Sequence, residues 1–419
     1  MNESFKRFCI EGFSVPHYIE DFILSILMEQ IGKKDKNVNL IASNLSNKEK
    51  AIICDGIDSI FKNNIADYNS KEIFYLLYYF PFNMFKIWVP LKDLSYRNAL
   101  KTNLTVLDIG CGPGTSTIGL IEYYKNLAIS NSEKNFSLKI DVVEQNANFI
   151  SIFKKLVEVC KRNIPNNLSV NINKCFNKDI CDIINNLQCD YDLIYASNVF
   201  NLNEPHGVTI LEDSIISLKN CLKPRGSLII IEPAEQRVTQ NFKKICNNID
   251  QRQILNIFSP CNGVYENCCR CENFAPTNIR VNSLLIDFLQ KIGKSVKSHH
   301  HFFDYFVFRK DGLKKYSFSE KIKFRKLGDI DWNNVGELVD IESIIISVIP
   351  KQDGIAIKMC DGSNMIEGPV YLNLSNAQIT KMGLHIQLLK GEKIKLEKVE
   401  ILKNNELHYG QDSVMEVMN

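Results

Sequence analysis

A loop with glycine at every second position gives the clearest chemical signal in the chain. Residues 106–115 read Val-Leu-Asp-Ile-Gly-Cys-Gly-Pro-Gly-Thr, a short apolar run followed by the loop. Glycine has no Cβ, so the backbone here can turn sharply and let a bulky ligand lie directly against it. A helix that opens near Thr115 would direct unpaired N–H groups and a partial positive charge at a bound anion. The residues predicted to form this ligand site are Asp108, Gly110, Cys111, Gly112 and Gly114.

The spacing Asp-x-Gly-x-Gly-x-Gly in this loop resembles the cofactor loop of the class I methyltransferases that use S-adenosylmethionine. The resemblance implies that the glycines admit the amino-acid end of the cofactor. It also implies that an acid at the end of the next strand holds the ribose hydroxyls, and Glu144, followed by Gln145, has this position. We therefore expect S-adenosylmethionine as the cofactor.

A dinucleotide-binding loop is the competing interpretation, and a loop with a purely structural role is a further alternative. The dinucleotide pattern Gly-x-Gly-x-x-Gly needs its third glycine where this chain has Thr115. That fold also needs an acid about 20 residues beyond the loop. Glu144 lies 34 residues after Gly110, so the spacing fits the methyltransferase interpretation better.

The ends of two later predicted strands supply further candidates, because doubly wound sheets bind ligands at their strand ends. Asp179 and Ile180 follow the third strand, at the position that holds the adenine amino group in similar enzymes. Asp179 could equally cap a helix, and the two roles are compatible. Ser197 and Asn198 follow the fourth strand and would face the cofactor methyl group. Asn198 is the candidate catalytic residue, which would either orient a target amine or cap its loop.

The sequence leaves the methylated atom open. The Asn198 loop lacks the two prolines of the Asn/Asp-Pro-Pro-aromatic motif that often accompanies amino-group methylation. A cysteine nucleophile for C5 methylation of cytosine usually follows a proline at the fourth strand, whereas Cys261 follows its proline after the fifth. Methyl transfer is an in-line displacement on a sulfonium, so positioning is the main task of such a site.

Four cysteines within 11 residues form the second chemical signal, inside a predicted Cys-rich insertion at 259–274. With 14 cysteines in the chain and no secretory signal, reduced thiols are favoured over disulfides. Thiolates at this density suit zinc or an iron–sulfur cluster. Free buried thiols and a cysteine nucleophile are the alternatives. The candidate metal ligands are Cys261, Cys268, Cys269 and Cys271.

The glycine loop, the segment Pro-Cys…Cys…Cys-x-Phe and the later run Tyr-Phe-Val-Phe-Arg-Lys together resemble the ribosomal small-subunit methyltransferase-like family. The resemblance covers about residues 70–315, and the family includes a mitochondrial small-subunit assembly factor with an iron–sulfur cluster. It implies that Cys261 is the first ligand and that Cys271 is the cysteine before x-Phe. Either Cys268 or Cys269 would be the second ligand.

The chain departs from this family at three points. Asn262 and Gly263 stand where the family usually has Pro-His, and the first spacing is longer. The family's fourth ligand lies well downstream, whereas the only later cysteine here is Cys360, in a predicted barrel. We therefore expect Cys268 and Cys269 to bind together. Adjacent thiolates suit the separate irons of a [4Fe-4S] cluster better than a single zinc ion, which is the alternative.

The candidate site residues lie at strand ends, so they need a sheet that brings those ends together. The order of helices and strands along the chain predicts such a sheet. Residues 1–100 read as a helical cap, 101–316 as alternating strands and helices, and 327–419 as five short strands. The expected fold class is α/β. It combines a Rossmann-like class I methyltransferase sheet with an N-terminal helical region and a C-terminal small β-barrel of the oligonucleotide-binding (OB-like) type.

The boundaries of the elements follow from apolar runs and breaker residues. The aromatic run from residue 73 ends at Pro81, which predicts a helix end there. The predicted strands of the sheet are 104–109, 138–143, 168–173, 191–196, 226–232 and the antiparallel closing strand 303–308. The predicted helices of the sheet domain are 116–127, 146–162, 207–222 and 235–250. The predicted barrel strands are 337–348, 354–359, 370–374, 392–399 and 407–409.

Charge and hydropathy limit the partners. The net charge of +2 gives no overall basic field, and no apolar run is long enough to predict a transmembrane helix. Residues 280–326, however, hold 12 Lys or Arg against 4 acids, with three histidines and several aromatic residues among them. This excess favours an RNA backbone, although a solvated helix face beside a buried aromatic strand gives the same pattern. We expect a cytoplasmic protein without membrane partners, because the N-terminus lacks a signal-peptide apolar region.

Together these features predict an S-adenosylmethionine-dependent methyltransferase that acts on ribosomal or other structured RNA. Small-subunit rRNA, or the ribosomal small subunit itself, would be the partner, and the barrel would help to hold the RNA. Two alternatives stay open. One is a small-subunit assembly factor that binds S-adenosylmethionine and rRNA without catalysis, and the other is a small-molecule methyltransferase.

Overall fold

The computed structural model divides into two compact units. The first comprises Met1–Ile245 and Thr277–Gly312, and the second comprises Cys246–Pro276 and Leu313–Asn419. The residues that the structure describes are 13–32, 42–62, 72–184, 187, 190–260, 277–296, 300–315, 324–361, 363, 369–381 and 392–418.

A mostly parallel sheet forms the first unit. In chain order the strands up to residue 309 are β1 (Phe13–Ser14), β2 (Asn103–Ile109), β3 (Phe136–Val143), β4 (Leu168–Phe176), β5 (Tyr191–Ser197), β6 (Leu222–Pro233), β7 (Asn256–Ser259), β8 (Thr277–Asn282) and β9 (His300–Arg309). Leaving out β7, which belongs to the second unit, the order along the sheet is β1-β8-β9-β6-β5-β2-β3-β4. β2 to β6 pair in parallel, and β9 runs antiparallel to β6. This mixed α/β arrangement is Rossmann-like.

The structure confirms the five parallel strands predicted between residues 104 and 232 and the antiparallel closing strand at 303–308. The runs in β2 and β5 are buried along most of their length, as expected of parallel strands covered on both faces. Strands β1 and β8 were not predicted from the sequence. β8 pairs with the closing strand, and β1 pairs with β8 at the edge of the sheet.

Helices connect the strands and fill most of the described N-terminal region. They are α1 (His17–Gln30), α2 (Asn47–Lys62), α3 (Glu72–Met84), α4 (Trp88–Tyr96), α5 (Thr115–Ser130), α6 (Ala147–Lys161), α7 (Ile180–Ile183), α8 (Pro205–Cys221), α9 (Gln236–Gln251) and α10 (Leu284–Lys291). The helix end predicted at Pro81 is wrong, because α3 continues through this proline to Met84. Proline removes one backbone hydrogen bond, and the full burial of Leu76, Leu77 and Phe80 holds the helix in place. Across the described ranges, no helix is long and apolar enough to cross a membrane.

The second unit contains a closed ring of strands. Its elements after residue 326 are a 3₁₀ turn (Leu327–Asp329), β10 (Leu338–Lys351), β11 (Gly354–Cys360), β12 (Val370–Ser375), α11 (Asn376–Lys381), β13 (Lys393–Ile401), β14 (Glu406–His408) and β15 (Val414–Met418). The strands pair in the order β10-β11-β12-β14-β13, and β13 pairs back with β10. β12 and β14 run parallel, and the other pairs in the ring are antiparallel. Each predicted barrel strand is observed, and β15 extends the sheet beyond β13.

Candidate active site

The glycine loop connects β2 to α5 at the carboxyl end of the parallel strands. Gly110, Gly112 and Gly114 have positive φ angles of 63°, 54° and 90°, a region that residues with a Cβ disfavour. A Cβ on Gly110 would lie 2.6 Å from Val199 Cγ2, and a Cβ on Gly114 would lie 2.4 Å from Phe153 Cδ2. The loop therefore needs glycine both for its backbone conformation and for its close packing.

The loop leaves the N-cap of α5 without a capping side chain, because the N-cap residue is Gly114. Further along the first turn, the Asp108 carboxylate accepts the backbone N–H of Thr117. Thr115 Oγ1 is buried and has no hydrogen-bond partner within the described part of the chain. An unpaired buried hydroxyl is costly, and unpaired N–H groups at a helix start favour an anion. An anionic ligand group with acceptor oxygens would satisfy both.

Glu144, just after β3, ties the glycine loop to the neighbouring strand. Its Oε2 accepts the N–H of Gly112 at 2.9 Å, and its Oε1 accepts the N–H of Asn146 at 2.7 Å. Burial raises the pKa of Glu144, and the backbone N–H groups oppose this rise. The N–H groups of Gly112, Asn146 and Gln145 leave this carboxylate a further acceptor position for a hydroxyl group. Gln145, the next residue, is exposed.

Asp108 and Cys111 are buried beside the loop. Asp108 is 1% exposed, and its carboxylate accepts a hydrogen bond of 2.6 Å from the Thr117 hydroxyl. The same hydroxyl is hydrogen-bonded to the Tyr195 hydroxyl at 2.9 Å. Burial raises the pKa of Asp108 to about 8, and the hydrogen bonds from Thr117 and Tyr195 oppose the rise. The N–H of Cys111 donates to Val143 O at 3.0 Å, and burial raises the pKa of its thiol. These contacts join β2, β5 and α5 around the loop, and direct contact of Asp108 or Cys111 with a ligand stays a prediction.

Asp179 is the N-cap of α7. Its Oδ1 accepts the N–H of Cys181 at 2.8 Å, which confirms the capping interpretation. The Asp179 side chain is exposed, whereas Ile180 is buried. Contact of these two residues with an adenine ring stays a prediction.

Asn198 lies directly after β5 in the left-handed conformation, with φ 56°. Asparagine tolerates this conformation better than most residues. Its N–H donates to Ile231 O at 2.8 Å, and its Nδ2 donates to Ser197 Oγ at 3.3 Å. The next residue, Val199, packs against Gly110. The structure thus brings Ser197 and Asn198 next to the glycine loop.

Two buried charged residues that the sequence analysis missed lie close to Asn198. Lys86, in the turn between α3 and α4, has its Nζ 3.4 Å from Asn198 Oδ1 and 5.7 Å from the ring centroid of Phe303. Glu232, near the end of β6, accepts the N–H of Phe200 at 3.2 Å. Burial lowers the pKa of Lys86 to about 8 and raises the pKa of Glu232 to about 8, and the attraction between the two groups opposes both shifts.

The predicted metal ligands lie outside the described residues; they are Cys261, Cys268, Cys269 and Cys271. Within the described residues, no group of three or more His, Cys, Asp or Glu side chains could hold a metal ion. Cys360, the later cysteine, is buried in β11. Of the three neighbouring histidines, His301 stacks on Phe82 with ring centroids 3.4 Å apart.

No protein-family model matches the chain, and no curated protein matches it. Several similar solved structures are S-adenosylmethionine-dependent methyltransferases. A candidate RNA methyltransferase from Pyrococcus horikoshii is 13% identical, with 52% of this chain and 81% of that chain covered and a TM-score of 0.30. A methyltransferase from Pyrococcus furiosus is 14% identical, with 54% and 82% covered and a TM-score of 0.30. A murine DNA-binding protein solved with double-stranded DNA is 19% identical, with 23% and 48% covered and a TM-score of 0.18. At TM-scores this low the likeness carries no argument, and the interpretation of the site rests on its own geometry.

Proposed function

We propose that this chain binds S-adenosylmethionine in the glycine loop and transfers its methyl group to RNA. The observation that carries the proposal is the start of α5, where three left-handed glycines end in an N-cap without a side chain and the buried Thr115 hydroxyl has no partner among the described residues. The carboxylate of the cofactor's amino-acid end is an anion that suits a helix N-terminus. Glu144, after the neighbouring strand, has acceptor positions for the ribose hydroxyls. The residues present therefore fit the cofactor.

Each part of the cofactor has proposed partners. The adenine would lie by Asp179 and Ile180, and the methyl group by Ser197 and Asn198. When bound, the cofactor supplies an electrophilic methyl group on a sulfonium. The task of the protein is then to orient the acceptor in line with that group. The residues proposed to hold the cofactor are Asp108, Gly110, Cys111, Gly112, Gly114, Glu144, Gln145, Asp179, Ile180, Ser197 and Asn198.

Two observations support RNA as the substrate class. The ring β10-β11-β12-β14-β13, with α11 after its third strand, is typical of an OB-like barrel, a fold that binds oligonucleotides. Residues 280–326 hold 12 basic against 4 acidic residues, an excess that would attract a phosphate backbone. From the family resemblance we infer small-subunit rRNA as the target.

A metal centre in the Cys-rich insertion at 259–274 is part of the same proposal. It would be a [4Fe-4S] cluster, with zinc as the alternative, and it would hold the insertion together. A brown anaerobic preparation with visible cluster absorbance supports iron–sulfur, whereas stoichiometric zinc rejects it. The proposed ligands are Cys261, Cys268, Cys269 and Cys271.

A matched pair of glycine variants tests the cofactor site. Gly112 and Gly293 both have positive φ angles, of 54° and 89°, and a Cβ on either residue meets no atom of the described residues within 4 Å. Alanine is therefore disfavoured only by the backbone conformation at both positions, and at Gly293 at least as strongly as at Gly112. At Gly112 the added methyl group would occupy space reserved for the cofactor, so we expect Gly112→Ala to lose transfer of a labelled methyl group to total RNA. Gly293→Ala should retain that transfer.

The outcome of this assay also separates the alternative functions. Transfer to RNA by the wild type and by Gly293→Ala supports the enzyme. Co-purified rRNA without label transfer favours the assembly factor. Absence of RNA binding at low salt leaves the small-molecule methyltransferase, since electrostatic contact with RNA is strongest under those conditions.

A further inference from the structure

Lys86 is a buried amine with no close counter-ion among the described residues. The residue is 5% exposed, and its Nζ donates a long hydrogen bond, 3.4 Å, to Asn198 Oδ1. Phe303 packs beside the amine, 5.7 Å from ring centroid to Nζ. The charge of Glu232 raises the pKa of Lys86, but no carboxylate of the described residues lies within 4.0 Å of Lys86 Nζ. Burying an ammonium with so few partners is unfavourable.

This amine lies on the side of the site where methyl transfer would occur. Asn198 follows β5, and Val199 after it packs against Gly110 of the glycine loop. The N–H of Asn198 donates to Ile231 O on β6 at 2.8 Å, and Glu232 is the next residue on that strand. Lys86, Asn198 and Glu232 therefore form one polar cluster at the strand ends beside the loop.

The surroundings of Lys86 make its neutral amine easier to form than that of an ordinary lysine. Burial lowers its pKa to about 8, although the charge of Glu232 opposes the change. A usable fraction of Lys86 is then unprotonated near neutral pH, whereas an ordinary lysine is almost wholly protonated there. An effective general base has a pKa close to the working pH.

We propose that Lys86 is the proton acceptor for methylation of an O–H or N–H group of the substrate, with Glu232 stabilising the ammonium that forms. This inference rests on the proposed function and names the chemistry of its acceptor. The acceptor oxygen or nitrogen attacks the methyl carbon, and the carbon–sulfur bond breaks with its electron pair staying on sulfur. The acceptor's proton passes to Lys86 Nζ. The products are the methylated acceptor, the neutral thioether and a protonated Lys86, which later returns its proton to solvent.

Two variants at Lys86 separate proton transfer from a simple charge effect. Lys86→Arg keeps a cation that cannot act as a base at neutral pH, and Lys86→Met removes the charge while keeping an apolar side chain of similar length. Lys155→Met, an exposed position on α6, is the matched control. Label transfer to total RNA and affinity for S-adenosylhomocysteine are measured for all three variants and for the wild type.

A third readout is independent of turnover. The full-length protein is labelled with ¹³C-lysine, and the Cε signal of Lys86 is identified by its absence from the spectrum of Lys86→Met. This signal is then titrated by NMR in the wild type. We expect this signal to titrate near pH 8, more than two pH units below ordinary lysines.

The expected result is a loss of transfer of at least a hundredfold in both Lys86 variants, with nucleoside affinity within twofold of the wild type. The wild-type rate should also rise with pH up to about 8. Transfer by Lys86→Arg at more than a tenth of the wild-type rate overturns the inference, as does a Lys86 signal that titrates above pH 10. A wild type that binds S-adenosylhomocysteine but transfers no label overturns it too, while the cofactor site stands. A wild type that does not bind the nucleoside at all overturns the proposed function itself.

Discussion

Replacing Lys86 by methionine should stabilise the first unit at neutral pH. Lys86 is 5% exposed, and burial lowers its pKa from the ordinary 10.5 to about 8. This difference corresponds to about 3 kcal/mol by which the buried ammonium lowers the free energy of unfolding. Methionine occupies a similar volume without a charge, so Lys86→Met removes that cost.

The size of the effect depends on pH in a defined direction. Between about pH 8 and pH 10.5 the unfolded chain binds more protons at Lys86 than the folded chain, so wild-type stability from this group rises with pH. Below pH 8 Lys86 is protonated in both the folded and the unfolded chain, so the full cost of burying the ammonium remains. In the variant, which lacks the ammonium, Glu232 takes up a proton at neutral pH because burial raises its pKa to about 8, so the substitution leaves no buried carboxylate charged. The advantage of Lys86→Met should fall from about 3 kcal/mol at pH 7 to below about 1 kcal/mol at pH 10.

Urea denaturation of a Trp332→Phe background measures this difference. The chain has two tryptophans, so the remaining fluorescence reports on Trp88, which is buried in α4 of the first unit. Lys155→Met in the same background is the control, and its stability should change by less than about 0.5 kcal/mol. A Lys86→Met protein less stable than the wild type, or an advantage that does not decline towards pH 10, would refute the reasoning.

Two further predictions concern the framework of the site. Gly114→Ala should lower the free energy of unfolding by about 2–5 kcal/mol, because the left-handed conformation and the overpacking each carry a cost. The overpacking arises because the new Cβ would lie 2.4 Å from Phe153 Cδ2. An unchanged thermal midpoint of unfolding would contradict this prediction. Burial alone would raise the pKa of Asp192, but hydrogen bonds from Lys101 and Lys223 lower it. The stability that this group contributes is present at neutral pH and is lost as the pH falls through the lowered pKa. Asp192→Asn should therefore show less acid sensitivity than the wild type in urea denaturation between pH 7 and pH 3, and parallel pH profiles would count against it.

The central strands were predictable from the sequence because parallel strands buried on both faces appear as continuous apolar runs. The aromatic run of β9 also marked its strand correctly, and the resemblance to methyltransferase sheets predicted its antiparallel direction. β1 and β8 were not predictable in the same way. β1 is two residues long, and β8 alternates polar and apolar residues over only six positions. Their pairing with each other and with β9 is a tertiary effect that local patterns do not encode.

The glycine loop could be predicted because its backbone conformation requires a particular residue type. Lys86 and Glu232 could not be predicted as site residues, since their importance comes from burial rather than from spacing. One signal was present in the sequence: Lys86 is the single charged residue between 73 and 91, inside an otherwise apolar and aromatic stretch. A lone charge in such a stretch must either reach solvent or find a role in the interior.

Isothermal calorimetry of the full-length protein with S-adenosylhomocysteine tests the central claim most directly. If the start of α5, the left-handed glycines and Glu144 form a cofactor pocket, the titration should show saturable binding of one nucleoside per chain. Gly112→Ala should abolish that heat, and Gly293→Ala should preserve it. A folded wild-type protein that releases or takes up no heat with this nucleoside, or binds it equally well after Gly112→Ala, would contradict the account.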